Sequence, residues 1–154
     1  VKTRPSWDET WMDFADVISH RSACSNRQVG AVIVKGNRPI AVGYNGPPAN
    51  MPKTGEYCKD WCPRAVGERT FSYQNCMSVH GEINALLFAD RRDYEGGTLY
   101  LTNPPCFDCA KVISNSGIKR IVYQSGQRDN HLNNDSTAVF IERCGIEVEI
   151  WTNE

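Results

Sequence analysis

Residues 98–123 read TLYLTNPPCFDCAKVISNSGIKRIVY, and the apolar pattern changes period twice within them. Thr98 to Thr102 is a short β-rich run that predicts a strand, and Cys106 to Asn115 follows at helical spacing. Gly117 stands where a left-handed C-cap belongs, and Ile118 to Tyr123 returns to strand character. Strand, helix, strand at these lengths is a βαβ unit with parallel strands and a right-handed crossover. Outward toward the C-terminus, Leu132 to Cys144 predicts a further helix ended by Gly145, and Ile146 to Trp151 a last strand. Only the polar run Gln127 to Ser136 reads as a flexible loop.

Working the other way, Val79 to Arg92 is helical by pattern, with Ile83, Leu86, Leu87 and Ala89 on or near one apolar stripe. Val29 to Lys35 reads as a buried strand, Gly36-Asn37 as a hairpin turn and Pro39 to Tyr44 as the returning strand. Trp7 to His20 carries Trp7, Trp11, Phe14, Val17 and Ile18 at helical spacing, with Ser6 as N-cap and Glu9 three residues on. Its aromatics are expected in the core. The sum predicts an α/β fold, a three-layer α/β/α domain with a mixed sheet of about five strands. A chain of 154 residues is the size of one domain, so residues 1–154 are expected to form a single unit with an insertion at about 46–78.

Seventeen basic and eighteen acidic residues leave a net charge of −1, which argues against broad electrostatic binding to a polynucleotide. A small anionic ligand needs only a few local cations. There is no apolar run of membrane-spanning length and no signal-peptide apolar region, so the expectation is a soluble intracellular protein with no membrane partner. The seven cysteines are odd in number and one pair sits in C-x-x-C, a pattern that fits metal ligation in a reducing compartment better than a disulfide framework.

Two motifs carry the chemistry: His80-Gly81-Glu82 and Pro105-Cys106-Phe107-Asp108-Cys109. A catalytic zinc takes three protein ligands and keeps a fourth position open, and His80, Cys106 and Cys109 supply that number. Cysteines at i and i+3 share one face of a helix's first turn, where free amides and the helix dipole favour thiolate. Glu82, two residues after the histidine, can lie beside the metal as a proton carrier without ligating it. His80 alone fits a packed core histidine, and the cysteine pair alone fits half a zinc ribbon or a redox pair. Both motifs in this order, each opening a predicted helix, point to catalytic zinc.

From Gly46 to Ser78 no periodicity is sustained, and a connection longer than about 12–15 residues in a compact domain is usually functional or tied down. Cys58, Cys62 and Cys76 lie in it, and Cys24 lies just before the first predicted strand. These four thiols are read as a second, structural zinc site; the alternative is that they are buried or spare thiols.

His-x-Glu followed by Pro-Cys-x-x-Cys is the signature of zinc deaminases acting on nucleobases, so the chain resembles the cytidine deaminase superfamily. Within it, Gly43-Tyr44-Asn45-Gly46-Pro47 and Gln28 to Val34 resemble the deoxycytidylate (dCMP) deaminase branch, phage and bacterial competence-operon relatives included, from about Ser6 to Trp151. The resemblance implies the same three-layer fold and zinc-dependent hydrolysis of dCMP to dUMP and ammonia, in the supply of dTMP. Glu82 would be base and acid, and backbone N–H groups near Gly81 and Cys106 would steady the tetrahedral intermediate. Residues before the first strand and in the Gly-Tyr-Asn-Gly turn hold sugar and phosphate, or a regulatory nucleotide, in that branch; carried over, they are Asn26, Arg27, Gln28 and Asn45, with Tyr123 as a further candidate.

The resemblance also implies a homo-oligomer, a hexamer in relatives, with dCTP and dTTP as effectors, the latter with Mg2+, in a bacterial or phage-infected cytoplasm. Phage members carry the extra zinc on mixed Cys and His ligands, which makes His20 a substitute ligand here. One departure stands out: the superfamily usually has Ala where this chain has Gly81, and the missing methyl is expected to open space beside the pyrimidine 5-position and admit 5-methyl-dCMP. The rival readings are a deaminase of another base or nucleoside, and a non-catalytic zinc-binding module in DNA uptake.

Overall fold

The computed structural model describes residues 2–24, 26–51, 62, 76–125 and 134–152. The elements run α1 (Trp7–Ser19), β1 (Gly30–Lys35), β2 (Arg38–Tyr44), α2 (Gly81–Leu87), α3 (Arg91–Tyr94), β3 (Thr98–Leu101), α4 (Phe107–Ser114), β4 (Arg120–Gln124), α5 (Asn134–Arg143) and β5 (Glu147–Trp151). They build one five-stranded sheet in the order β2-β1-β3-β4-β5. β1 pairs antiparallel with both β2 and β3, whereas β3, β4 and β5 are mutually parallel. The mixed sheet and the parallel pairing within both βαβ units therefore stand as the sequence predicts.

Alternation along the central strands divides the core into two layers. Ala31, Ile33, Leu99, Leu101, Ile121 and Tyr123 face the side covered by α2, α4 and α5, where Ala85, Ala110, Ile113 and Ile141 meet them. Val32, Val34, Tyr100 and Val122 face the other side, against Trp11, Met12 and Ala15 of α1. Strands β1, β3 and β4 are apolar on both faces because helices cover both. β2 is an edge strand, so it tolerates Pro39, which has no N–H to donate, and the register shifts there between Ile33 and Val34. Gly36 (φ 58°) and Asn37 (φ 55°) are both left-handed, as a two-residue hairpin turn requires.

Two local expectations are corrected. The run 79–92 is not one helix: α2 stops at Phe88, and Asp90 accepts a hydrogen bond from Arg92 N–H at 2.9 Å to cap the separate α3. A short polar side chain that bonds the backbone ahead of it restarts a helix rather than continuing it. Leu87, expected on the apolar stripe, is 69% exposed, and Phe88 beside it is 79% exposed. In α1 the capping box of Ser6 and Glu9 forms in both directions, yet the buried stripe is Trp11, Met12, Ala15 and Ser19. Trp7 and Phe14 stay at the margin, 49% and 40% exposed, stacked on and edge-on to Trp11.

Small residues decide that packing. A Cβ at Gly30 would stand 2.0 Å from the Ala15 carbonyl oxygen, and one at Gly43 would stand 2.2 Å from the Gly81 carbonyl oxygen. Bare glycine backbone thus lets α1 and α2 close onto opposite faces of the hairpin, and the second contact fixes where α2 begins. Of the predicted loop Gln127–Ser136, residues 134–136 open α5, and the remainder lies outside the described residues. Most of the predicted insertion at 46–78 also lies outside them. Among the described residues, no helix is long and apolar enough to cross a membrane.

A polar network pins α1 across the sheet. Arg120 of β4 donates to both Asp8 carboxylate oxygens at 2.9 and 2.7 Å, Tyr100 O–H donates to Asp8 at 2.6 Å, and Glu149 closes on Arg120 from β5. The Arg120 hydrogen bond holds the Asp8 carboxyl below the usual carboxylate range, with Tyr100 helping and partial burial opposing. A carboxyl depressed on folding contributes stability that is present above its unfolded pKa of about 4 and is lost as pH falls through the folded value. Asp8→Asn is therefore expected to cost about 1–2 kcal/mol at pH 7 in urea unfolding, a gap that narrows on acidification below about pH 4.

Candidate metal and catalytic site

The carboxyl ends of β3 and β4, the start of β1 and the end of β2 all come to one end of the sheet. The Thr102 hydroxyl accepts from Gly30 N–H at 3.0 Å, and Gly30 C=O accepts from Thr102 N–H at 3.0 Å, which ties the start of β1 to the end of β3. Crevices beyond strand carboxyl ends are where open α/β sheets hold ligands. Here α2 and α4 both begin at that end. His80 is the N-cap of α2 and Cys106 the N-cap of α4, each in extended conformation just before its helix. Because the cysteine spacing is three, Cys109 lies in the first turn of α4, and its N–H donates to Cys106 Sγ at 3.4 Å.

His80 Nδ1 stands 3.1 Å from Cys109 Sγ and 3.6 Å from Cys106 Sγ. The three ligand atoms lie within 4.8 Å of one another, and they form the one such group of His, Cys, Asp and Glu among the described residues. In a tetrahedral zinc site, bond lengths of about 2.0–2.1 Å to nitrogen and 2.3 Å to sulfur place neighbouring N and S donors roughly 3.6 Å apart. One observed edge has that length and the other is somewhat shorter. A neutral imidazole with two thiols, on rigid helix starts, is a donor set that fits zinc.

Glu82 lies outside the three-donor group but beside it, with its carboxyl against Cys109 and near the His80 ring. It is 3% exposed, and burial raises its carboxyl above the usual range. Among the donors, the hydrogen bond from Cys109, with His80 contributing, holds the Cys106 thiol down at about 4. Cys109 is pushed up, first by that shared proton with Cys106 and then by burial. The hydrogen bond to Cys106 raises His80, while burial and the nearby charge of Arg27 oppose it. One thiolate and one thiol sharing a proton become two thiolates when a dication replaces that proton.

The other predicted residues divide by position. Asn26 and Gln28 are exposed and Arg27 is half-buried, on the segment leading into β1. Asn45 is buried, and its side-chain amide is engaged: Oδ1 accepts from Val29 N–H at 2.8 Å and Nδ2 donates to the Arg27 carbonyl at 2.8 Å. Gly81 is buried at the start of α2, where an added Cβ would meet Val29 C=O at 3.2 Å, Tyr44 Cα at 3.4 Å and Asn45 N at 3.5 Å. Tyr123 is fully buried in the core layer beside α2, α4 and α5. Of the thiols read as a second zinc site, Cys58 lies outside the described residues, Cys62 is buried, and Cys24 and Cys76 are half-buried. The described three do not form a metal-holding group among themselves. His20 ends α1, exposed and 3.8 Å from Asp16.

Ser22 and Thr102 belong to this end of the sheet and escaped the sequence reading. Neither lies in a motif, and their partners are far away in the chain: Asn45 for Ser22 and Gly30 for Thr102.

The family of the cytidine and deoxycytidylate deaminase zinc-binding region matches residues 5–125. The deoxycytidylate deaminase of Mycobacterium phage D29 is 41% identical over 128 residues, covering 79% of this chain and 96% of its own. That of Schizosaccharomyces pombe is 37% identical over 149 residues, covering 94% of this chain and 44% of its own length. Among solved structures, the dCMP deaminase of cyanophage S-TIM5, in complex with dCMP and dUMP, superposes with a TM-score of 0.73 at 26% identity, covering 97% of this chain and 100% of that one.

The geometry predicts that Cys109→Ala lowers bound zinc by about one equivalent per chain, read by atomic emission after dialysis against a weak chelator. An unchanged zinc content would count against this donor set.

Proposed function

The chain belongs to the cytidine and deoxycytidylate deaminase family, in its deoxycytidylate branch, and from that premise we propose that it hydrolyses the 4-amino group of dCMP to give dUMP and ammonia. The observation that carries this reading is the buried Glu82 carboxyl beside the His80, Cys106 and Cys109 donors. The cyanophage neighbour, solved with dCMP and dUMP, supports the choice of substrate and product.

His80, Cys106 and Cys109 hold the zinc, which when bound supplies the Lewis acid that lets water ionise near neutral pH. The chain's own groups do the rest. Glu82 takes one proton from the attacking water as its oxygen bonds to C4, and hands that proton to N3 of the ring. The second proton, from the new C4 hydroxyl, passes through the same carboxyl to the departing amine as the C4–N bond breaks. Water and dCMP thereby balance dUMP and ammonia. Burial suits Glu82 to this work, because a carboxyl screened from solvent exchanges its proton with the substrate rather than with bulk water. Amides at the starts of α2 and α4 steady the oxygen that becomes the C4 carbonyl. Arg27 offers its guanidinium to the 5′-phosphate, with Asn26 and Gln28 alongside.

Glu82→Gln keeps the shape and removes the proton carrier. It is expected to lower kcat for dCMP by roughly 10²- to 10⁴-fold while zinc content stays unchanged, measured by ammonia release and the ultraviolet change of the base. Turnover that survives in this variant would remove Glu82 from the mechanism.

The finer reading includes 5-methyl-dCMP as a second substrate, effector control by dCTP and by dTTP with Mg2+, a homohexamer, a role in dTMP supply, and a structural zinc on Cys24, Cys58, Cys62 and Cys76. Gly81 bears on the first of these only as the departure from the family pattern, since the place of its missing methyl is walled by Val29 C=O, Tyr44 Cα and Asn45 N. Gly81→Ala is expected to lower the rate on 5-methyl-dCMP relative to dCMP in a direct competition assay; an unchanged ratio would dispose of that part.

A further inference from the structure

Ser22 is 3% exposed, and its hydroxyl and carbonyl together hold three separate points of the chain. Its hydroxyl donates to the Asn45 carbonyl at 2.8 Å and accepts from Cys24 N–H at 3.2 Å, while its own carbonyl accepts from Gln28 Nε2 at 3.2 Å. Asn45 then grips the same segment from the other side through the Arg27 carbonyl and the Val29 N–H, and its own N–H donates to Val29 C=O at 3.2 Å. The result is a closed clasp around residues 22–24 and 26–29. The clasp continues directly into the metal site: Gly46, next to Asn45, exchanges hydrogen bonds with Val79 at 3.1 and 2.7 Å, and Val79 adjoins His80. Gly81 lies under it, since the atoms nearest an added Cβ include both members of the Asn45 N–H to Val29 C=O bond.

Residues 26–28, which the deaminase reading assigns to the nucleotide, lie in no helix or strand, so without such fixing binding would bear the entropy of ordering their backbone. We propose that Ser22 is a positioning residue: by holding the Asn45 carbonyl it fixes residues 26–28 relative to His80, and so sets the affinity for the nucleotide rather than the rate of the chemical step. Asn45 acts with it, through its side-chain amide. This inference rests on the deaminase reading given above.

The test is a double-mutant cycle of Ser22→Ala and Asn45→Asp on the full chain, with zinc content, kcat and KM for dCMP read for each, and amide hydrogen exchange at Val29. Each variant is expected to raise KM roughly tenfold with kcat within about threefold and zinc retained, and the pair to be no worse than the weaker single. Loss of kcat at unchanged KM, or effects that multiply, would overturn the proposal. Should Ser22→Ala fail to fold, Ser22→Cys, which keeps the shape and weakens the hydrogen bond to the Asn45 carbonyl, decides it by the same split. Should the wild-type protein not turn over dCMP, the deaminase reading fails by itself. Exchange at Val29 then decides the clasp: acceleration of at least about tenfold in Ser22→Ala sustains it, and unchanged exchange overturns it.

Discussion

Two helix starts have to meet. His80 caps α2 and Cys106 caps α4, and nothing about either helix alone would bring their donor atoms within 4.8 Å. The sheet does this by pairing β1 antiparallel to β3, so that the start of β1, the end of β2 and the end of β3 lie together, and the helices that follow β2 and precede β4 begin side by side. Gly43 then sets the depth of α2, since its bare Cα lies beneath the first turn, where a methyl would strike the Gly81 carbonyl. Fold and chemistry meet at that contact.

The electrostatics follow from the same convergence. Three donors crowded at the starts of two helices, with Cys109 buried beneath the other two, cannot all keep their ordinary protons, so one thiol is held down at about 4 while its neighbour is pushed up. Glu82 experiences the opposite pressure from the same burial, which favours its protonated form. A divalent cation reverses the balance among the donors without touching the reason for Glu82, whose carboxyl remains enclosed. The site thus has separate places for holding charge and for moving protons.

Much of this was legible because it is local. The three-residue spacing of Cys106 and Cys109 places both in one turn, the Ser6 and Glu9 pair forms the capping box that it spells, and Gly36-Asn37 takes the two left-handed conformations of a hairpin. What could not be read depends on partners distant in the chain. Nothing near Asp8 announces Tyr100 or Arg120, 92 and 112 residues away, and nothing near Ser22 announces Asn45. Trp7 and Phe14 are exposed on a helix whose Ala15 is seated on Gly30, a backbone contact that a hydrophobic count does not register. Residues 79–92 misled for a different reason: the apolar periodicity runs on, but the Asp90 side chain restarts the helix.

The most direct measurement is anomalous diffraction at the zinc edge from crystals grown with dCMP or dUMP. The account predicts a peak bounded by His80 Nδ1, Cys106 Sγ and Cys109 Sγ, with C4 of the pyrimidine facing it and the Glu82 carboxyl within hydrogen-bond reach of N3. A nucleotide seated away from these three residues, or zinc absent from between them in active protein, would contradict it.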